Sequence, residues 1–314
     1  MAARKKKISF VVPAYNEEEN VESLYGAVCD LMKELKGRYD HEIIFTDNHS
    51  SDRTFAIIKE LAARDKKVRG YRFSRNFGYQ RSILTGYLRS DGDAVVQLDC
   101  DLQDPPSLVA DFLEKWEQGS KVVYGVRAKR KEWWGINLGR KLFYRTINLL
   151  SEDDLPLDAG DFRLVDRQVV EALREFEDMQ PYLRGAIAGI GFPQEGIAYE
   201  REDRKRGRSK FSFFDLMALA LDGILNHSIV PLRVASIFGI ITSLITLAGG
   251  ILYLIGKFVL GQDWPAGFAT TTILILLSLS INSLFLGIIG EYLGRIYKQV
   301  KRKPLTIIEE EVNP

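Results

Sequence analysis

Two acidic residues separated by a single position are the part of this sequence best suited to chemistry. The apolar run 94–96 leads into Asp99, Cys100 and Asp101, and Gln103 follows closely. Side chains alternate along an extended chain, so both carboxylates should project to one side while Cys100 packs on the other. Two like charges this close need a cation, and Mg²⁺ favours oxygen ligands together with waters and substrate phosphates. We predict a metal–diphosphate site at Asp99, Asp101 and Gln103, with a solvated acidic turn as the alternative.

The elements that must position this pair form a regular alternation of strands and helices. Pro13 should end the first strand, and the double proline at 105–106 suits the start of a helix. Such alternation predicts an α/β fold with right-handed crossovers and a mainly parallel sheet. Ligands bind at the carboxyl ends of such strands, so the polar loops should converge on the acidic pair. Expected strands cover 7–12, 41–45, 68–73, 94–99 and 122–126; expected helices cover 21–35, 55–63, a stretch through 88, and 107–117; the loops are 14–20, 46–54 and 74–78.

Composition narrows the classes of function. The chain has 314 residues, 46% of them hydrophobic and 27% charged, which is enough for one sizeable core and additional elements. Its net charge of +1 argues against a dedicated nucleic-acid binder. Cys29 and Cys100 show neither metal nor redox spacing, so we expect a reducing compartment and no disulfide framework.

Two uncharged stretches, 234–256 and 268–290, are each long enough to cross a bilayer core, which takes about 20 residues. Arg233 precedes the first stretch, and basic residues follow the second at Arg295, Lys298, Lys301, Arg302 and Lys303. The positive-inside rule therefore places both chain ends in the cytoplasm and the connection 257–267 outside. Residues 211–231, apolar at helical spacing, should form an amphipathic interfacial helix. Two buried helices of a large soluble core are the alternative.

An ordered set of motifs extends along nearly the whole chain. These motifs lie at 12–17, 46–52, 74–78, 98–106, 158–164, 204–211 and 287–295. Together they resemble the inverting family 2 glycosyltransferases of GT-A fold. More narrowly, they are similar to the polyprenyl-phosphate sugar transferases, relatives of dolichyl-phosphate mannose synthase and of the bactoprenol glucosyltransferases.

The resemblance implies a nucleotide pocket and a metal site. Asp47 would read the base, while Asp99, Asp101 and Gln103 would hold Mg²⁺ or Mn²⁺ on the diphosphate of the donor. The residues that would bind the donor nucleotide are Pro13, Tyr15, Glu17, Asp47, Arg75 and Asp99. Relatives often have two acids and a glycine where this chain has Asp47, Asn48 and His49, which leaves the role of the second acid open.

Basic residues are expected to hold an acceptor phosphate. The resemblance implies this role for Arg127, and a fork-shaped guanidinium suits a phosphate. The basic arm 201–210 should also be a juxtamembrane flank attracted to anionic lipids. Asp158 is a candidate general base or acceptor-positioning residue, with a structural turn between Asp158 and Asp161 as the competing interpretation. Asp101 completes the expected catalytic set with Arg127 and Asp158, and the arm would contribute Arg201, Arg204, Ser209 and Lys210.

We therefore expect an inverting, metal-dependent transfer of a hexose, glucose from UDP-glucose, to a polyprenyl phosphate such as undecaprenyl phosphate, in cell-envelope glycosylation. A GDP-mannose-dependent mannose synthase is the alternative. More distant alternatives are a polysaccharide synthase, whose Gln-x-x-Arg-Trp motif the sequence lacks, and a non-catalytic scaffold. Expected partners are the nucleotide sugar, the polyprenyl-phosphate lipid, membrane lipids and a flippase, but no nucleic acid. The resemblance implies a homo-tetramer.

The expected domains follow from these segments. A cytoplasmic GT-A catalytic domain covers 1–210, the interfacial amphipathic helix 211–231, a two-helix transmembrane hairpin 232–294, and a basic-then-acidic cytoplasmic tail 295–314. The protein is thus expected to be a multi-pass protein of the cytoplasmic (inner) membrane, with its catalytic domain and both termini facing the cytoplasm.

Overall fold

A computed structural model describes residues 4–35, 37–127, 159–176, 181–200, 267–301 and 303–314, with scattered positions between 232 and 259. The strands are β1 (Lys6–Ala14), β2 (Tyr39–Asp47), β3 (Val68–Phe73), β4 (Ala94–Gln97), β5 (Val122–Arg127), β6 (Ala159–Asp166), β7 (Gln194–Tyr199) and β8 (Ile308–Val312). The helices are α1 (Val21–Glu34), α2 (Thr54–Arg64), α3 (Tyr79–Arg89), α4 (Val109–Glu117), α5 (Arg167–Glu175), α6 (Leu183–Gly189) and α7 (Phe268–Val300). A short 3₁₀ turn, Pro106–Leu108, precedes α4, as the double proline predicts.

The strands form one mixed sheet in the order β7-β5-β6-β4-β1-β2-β3-β8. Strand β1 runs parallel to β2 and β4, β2 runs parallel to β3, and β5 runs parallel to β7. Strand β6 is antiparallel to β4 and β5, and β8 is antiparallel to β3. The predicted α/β fold is confirmed, and the carboxyl ends of β1 to β4 share one edge.

Alternate residues of the central strands enter two hydrophobic cores, one on each face of the sheet. The first core contains Phe10, Phe45 and Val96 together with residues of α1, α2 and α4. The second contains Val11 and Ile44 together with residues of α3, α5 and α6. Because both faces are covered, these strands consist of nearly continuous apolar residues.

Strand β1 continues through Pro13 to Ala14, so the prediction that Pro13 ends it was wrong. The pairing of β1 with β4 stops where Val11 lies beside Gln97, and the Val11 carbonyl accepts the N–H of Leu98 on that side. Alternate residues of a strand face the same neighbour. The missing N–H of Pro13 therefore faces the side on which β4 has already ended, where no ladder bond is lost.

Helix α7 is a long apolar helix that belongs to a compact unit separate from the sheet. Among the described residues it is the one helix apolar enough to cross a membrane, and its window Leu277–Gly294 has a mean hydropathy of 1.3. Large apolar side chains of α7 itself are exposed, at Leu274, Ile275, Leu277, Leu279, Leu284 and Leu286. Of the first predicted span, residues 237–242 are helical, and much of the rest lies outside the described residues. The two-helix hairpin and the interfacial helix 211–231 therefore stay predictions.

The last strand, β8, pairs with the edge of the sheet formed by β3. The side chain amide of Asn313 fixes its end by donating to the carbonyls of Ala62 at 2.7 Å and Val68 at 2.9 Å. The interpretation of residues 295–314 as a basic-then-acidic tail did not include this strand. Glutamates are depleted in strands, which hides β8 in the sequence, but an edge strand tolerates charged side chains.

Candidate active site

The loops that follow β1 and β2 are joined by hydrogen bonds. The Asn16 N–H donates to Ser50 Oγ at 2.9 Å, and the Ser51 N–H donates to Asn16 Oδ1 at 2.8 Å. The Glu17 N–H donates to Oγ1 of Thr54, the first residue of α2, at 2.8 Å. The two loops therefore form one continuous surface at the carboxyl ends of their strands, where an open sheet binds its ligand.

Asp47 ends β2 and is completely buried at this edge. Its Oδ1 accepts the N–H of Ser50 at 3.1 Å, and its Oδ2 lies 4.0 Å from Nη1 of Arg72. Among the described residues, Oδ2 has no hydrogen-bond partner. Burial raises the pKa of this carboxyl, against the opposing effects of Ser50 and Arg72. A ligand that donates a hydrogen bond to Oδ2 would relieve this cost, so Asp47 is suited to reading a ring N–H.

Three further residues predicted for the nucleotide pocket lie on the same joined surface. Pro13 is buried within β1, in register with β2. Tyr15 is 41% exposed in the loop that follows. Oε2 of Glu17 accepts a hydrogen bond from Nδ2 of Asn20 at 2.6 Å. Strand pairing and the joined loops thus bring Pro13, Tyr15 and Glu17 to the edge that holds Asp47.

The loop after β3 is tied to the loop after β2 by Asn48, whose Oδ1 accepts the N–H of Phe77 at 2.8 Å. Arg75 packs within its own loop: its guanidinium lies 4.1 Å from the centre of the Phe77 ring, and Nη1 donates to the carbonyl of Asn76 at 3.2 Å. His49 has a φ of 64°, a left-handed conformation that glycine adopts most readily. The backbone at His49 is therefore one that glycine would adopt without strain, and Asn48 joins the loops after β2 and β3.

Strand β4 ends at Gln97, where its pairing with β1 stops, so the acidic pair does not lie on an extended chain. The expectation that strand alternation aligns Asp99 and Asp101 was therefore wrong. The pair lies in an irregular turn in which Leu102 has a left-handed φ of 55°. Cys100 packs into the first core with 3% exposure, as predicted.

Two side chains from outside the turn hold Asp99. The hydroxyl of Tyr79, the first residue of α3, donates to Asp99 Oδ1 at 2.5 Å. Nε2 of Gln97 donates to the same oxygen at 2.9 Å. Because Tyr79 and Gln97 also contact each other at 3.1 Å, the orientation of Asp99 is set by a closed hydrogen-bonded triangle.

Negative charge accumulates around Asp99. Its pKa is raised to about 7, first by burial and then by the carboxylates of Asp104, Asp161 and Asp101. Burial and the neighbouring carboxylates disfavour the anion of Asp99, and a bound divalent cation would offset this cost, so the site fits a divalent cation. Within the described part of the chain, no group of three or more His, Cys, Asp or Glu side chains is placed to hold a metal. Asp99 and Asp101 would be ligands beside waters and phosphates, with Gln103, whose N–H donates to Asp101 Oδ1 at 3.2 Å, close by.

Comparison with known proteins decides the family. The profile described as glycosyl transferase family 2 matches residues 9–174, more than half of the chain. The chain belongs to glycosyl transferase family 2. An uncharacterized glycosyltransferase of Synechocystis sp. is 35% identical over 97% of this chain and 95% of its own length. The SfII prophage-derived bactoprenol glucosyl transferase of Shigella flexneri is 36% identical over 97% of this chain and 98% of its own. An uncharacterized glycosyltransferase of Bacillus subtilis is 37% identical over 98% and 95%.

The protein is therefore a glycosyltransferase, and its sheet is the GT-A domain of that family, as predicted. One contact in this glycosyltransferase was not foreseen from the sequence. The hydroxyl of Tyr199, at the end of β7, donates to Asp104 Oδ1, and these side chains are 7% and 2% exposed. Gly125 on β5 makes room for the Tyr199 ring, since a Cβ there would approach it to 2.6 Å. Pairing of β5 with β7 creates this contact, and no local motif signals it.

The glycosyltransferase also places Asp161, which was predicted only as one side of a turn, near Asp99. The expected turn between Asp158 and Asp161 was wrong in its described part, because residues from Ala159 onward belong to β6. Asp161 lies in that strand, and its Oδ1 is 3.1 Å from Nε of Arg184 on α6. Pairing of β6 with β4 brings Asp161, and with it a positive charge, to the acidic turn.

Several predicted residues of the glycosyltransferase lie outside the described residues. Arg127 ends β5, where its backbone is in register with Tyr199, but its side chain is not described. The acceptor set and the general base therefore stay predictions. The others that lie outside are Asp158, Arg201, Arg204, Ser209 and Lys210.

Proposed function

We propose that this glycosyltransferase transfers glucose from UDP-glucose to a polyprenyl phosphate, with inversion and with a divalent metal ion. The observation that carries the proposal is the convergence of the buried carboxylate of Asp47 and the acidic turn around Asp99 on one edge of the sheet. A relative named bactoprenol glucosyl transferase, aligned over 97% of this chain, supports the lipid acceptor and the glucosyl group. The exposed apolar surface of α7 supports a location in the cytoplasmic membrane.

The donor half of the site would bind the nucleotide at its base and at its diphosphate. Asp47 Oδ2 accepts the ring N–H of the uracil, and the surface at Tyr15 and Glu17 lines the nucleoside. Asp99 and Asp101 would hold Mg²⁺ or Mn²⁺ at the diphosphate. When bound, such an ion supplies positive charge that stabilises the leaving diphosphate.

The acceptor phosphate then displaces the nucleotide. A phosphate oxygen attacks the anomeric carbon from the face opposite UDP, a new carbon–oxygen bond forms, and the bond to the diphosphate breaks with its electron pair leaving on UDP. A phosphate monoester is largely ionised at neutral pH, so the attack does not require prior loss of a proton. Arg127 and the basic arm hold the acceptor, Asp158 positions it or acts as a base, and the arm residues are Arg201, Arg204, Ser209 and Lys210.

The variant Asp101→Asn tests the metal site. We expect transfer of labelled glucose from UDP-glucose to undecaprenyl phosphate in Mg²⁺ to fall by about 100-fold or more, because metal stabilisation of the leaving group is worth several kcal/mol. Membrane insertion should be unchanged. Asp111→Asn is the matched control, since Asp111 is an exposed carboxylate on α4. Near-normal turnover in Asp101→Asn would remove the acidic pair from the reaction.

The donor is tested in the same assay. The purified parent protein is given UDP-glucose or GDP-mannose in parallel, and the lipid product is identified by mass spectrometry. A glucosyl lipid made only from UDP-glucose is expected. A mannosyl lipid alone would contradict the donor assignment, a long polymer would indicate a polysaccharide synthase, and no product with any nucleotide sugar would contradict the enzymatic proposal.

A further inference from the structure

Strand β8 lies beside the donor end of the sheet and is fixed there at both ends. Before the strand, the Ser74 N–H donates to the carbonyl of Ile307 at 2.9 Å, and the hydroxyls of Thr85 and Thr306 are 3.0 Å apart. After it, the Asn313 side chain bonds two backbone carbonyls. The pairing of β8 with β3 is irregular between these two ends: Arg72 is in register with Glu310 and Phe73 with Ile308, so Glu309 lies at a bulge between the two pairs.

Glu309 is the β8 residue that reaches toward the nucleotide pocket. Its Oε2 lies 3.4 Å from Nε of Arg72 on β3 and 3.5 Å from Nδ1 of His49, in the loop after β2. His49 Nδ1 is also 2.9 Å from the carbonyl of Phe73. A carboxylate from the C-terminal end of the chain thus contacts two residues next to the predicted base-reading position.

Arg72 lies between two carboxylates. Nε faces Glu309, while Nη1 is 4.0 Å from Oδ2 of Asp47 and Nη2 donates to the carbonyl of Ser50 at 3.3 Å. The guanidinium also lies 5.4 Å from the centre of the Phe55 ring. At 4.0 Å the contact with Asp47 is an ion pair without a hydrogen bond, and Oδ2 stays available to a donor.

The competition between these carboxylates has a functional consequence. A buried carboxylate gains much from a direct bidentate bond with an arginine. If Arg72 were released from Glu309, it would be free to close on Asp47 and occupy Oδ2. The site would then lose the acceptor that a nucleobase needs.

We propose that Glu309 is a positioning residue for the donor nucleotide, which holds Arg72 away from Asp47 and so keeps Asp47 Oδ2 open for the ring N–H of the base. The inference rests on the proposed function, because it takes Asp47 as the base-reading group. The ligand class is a nucleoside diphosphate whose base carries a ring N–H, as uracil and guanine do. The C-terminal strand is then part of the donor site and not only an edge of the sheet.

The test compares two neighbouring glutamates of β8 in the full-length protein. Glu309→Gln removes the charge beside Arg72. Glu310→Gln removes the same charge from the same strand, but Glu310 pairs instead with Lys59 at 2.5 Å. Affinity for UDP in the presence of Mn²⁺ is measured by calorimetry, and KM and kcat for UDP-glucose are measured separately.

Glu309→Gln should weaken UDP binding by about 5-fold or more, the lower range of coupling between sites, and raise KM with kcat unchanged. Glu310→Gln should bind UDP like the parent, and Glu309→Asp should restore part of the affinity. In an Arg72→Gln background, Glu309→Gln should have no further effect, because the route through Arg72 is already lost. A further loss of UDP affinity in the Arg72→Gln background would show that Glu309 does not act through Arg72.

Asp47→Asn separates failure of this inference from failure of the proposed function. If Asp47→Asn binds UDP like the parent, Asp47 does not read the base and both proposals about this pocket are wrong. If Asp47→Asn weakens binding while Glu309→Gln and Glu310→Gln behave alike, the nucleotide site stands and the positioning role of Glu309 is wrong.

Discussion

Removing the charge of Asp99 should stabilise the fold and weaken the proposed metal site. The pKa of this carboxyl is raised from 3.8 to about 7, first by burial and then by Asp104, Asp161 and Asp101. For an acid with a raised pKa, ionisation opposes folding: the penalty is absent below pH 3.8, grows up to about pH 7 and is constant above it. At about 1.4 kcal/mol per pKa unit, the full penalty is at most about 4 kcal/mol. We expect about 2 kcal/mol, because water reaches a side chain that is only half-buried.

The variant Asp99→Asn keeps an acceptor for Tyr79 and removes the charge. Thermal unfolding in detergent and chelator is followed by fluorescence at pH 5 and pH 8. At pH 8 the variant should unfold at a higher temperature than the parent, and about 2 kcal/mol corresponds to roughly 4–8 °C for a domain of this size. At pH 5 the difference should be smaller, because the folded parent is then mostly protonated at Asp99.

Metal binding should reverse the order of thermal stability between Asp99→Asn and the unmodified protein. Mn²⁺ should stabilise the parent more at pH 8 than at pH 5, because a proton competes with the ion for Asp99, and it should have little effect on the variant. The exposed variant Asp111→Asn controls for loss of a charge elsewhere. A variant no more stable than the parent at pH 8, or equal stabilisation of both by Mn²⁺, would refute the electrostatic reasoning.

Two other predictions concern hydrogen-bonded carboxylates. Glu42→Gln should lower the free energy of unfolding by about 2 kcal/mol, because buried Glu42 pairs with Lys7 and Arg69, both at 3.0 Å, and a neutral side chain would weaken these charge-assisted bonds. Burial acts to raise the pKa of Glu42, but its hydrogen bonds hold that pKa below the ordinary value. The stability that Glu42 contributes is therefore present above the ordinary pKa and is lost as the pH falls through the folded-state pKa. Urea unfolding at a series of pH values would show this loss in the unmodified protein, and the same pH profile in Glu42→Gln would contradict it. Tyr199→Phe should cost about 1–3 kcal/mol and weaken Mn²⁺ binding, because it leaves buried Asp104 without its hydroxyl donor beside the acidic turn. Tyr25→Phe, which removes a hydroxyl bonded to a carboxylate elsewhere, should leave Mn²⁺ affinity unchanged, and equal weakening in both variants would contradict the assignment.

The central sheet could be predicted because its strands are buried on both faces and therefore consist of apolar runs such as 94–96. The errors occur where the outcome depends on a neighbour. Pro13 stays in β1 because β4 has already ended beside it, so no ladder hydrogen bond needs the missing N–H. The pairing of β4 with β1 ends at Gln97, which leaves the acidic pair beyond the strand. Strand β8 was missed because its pairing partner, β3, is distant in the sequence. The residue pattern within one strand does not show which strand will pair with it or where that pairing ends.

The candidate site divides in the same way. Asp47 is the last residue of β2, and Asp99 and Asp101 follow β4 closely, so local motifs reveal them. Asp161 and Tyr199 come from β6 and β7, and they reach the acidic turn only through the sheet order. Asp161 lies within the motif 158–164, but the sequence does not show that its strand pairs with β4, and no local pattern marks Tyr199.

The proposed donor site therefore draws on residues from both ends of the chain. Residues at the ends of β1, β2 and β3 would line this site. Glu309, on a strand that follows α7, contacts Arg72 beside it. A shortened protein that ends before α7 would lack β8 and would expose the edge of β3, with loss of contacts such as that of Val312 beside Gly70. Weak nucleotide binding by such a fragment would follow from the missing strand alone. It would then say nothing about a requirement for the membrane, and the two causes can be separated only in full-length variants such as Glu309→Gln.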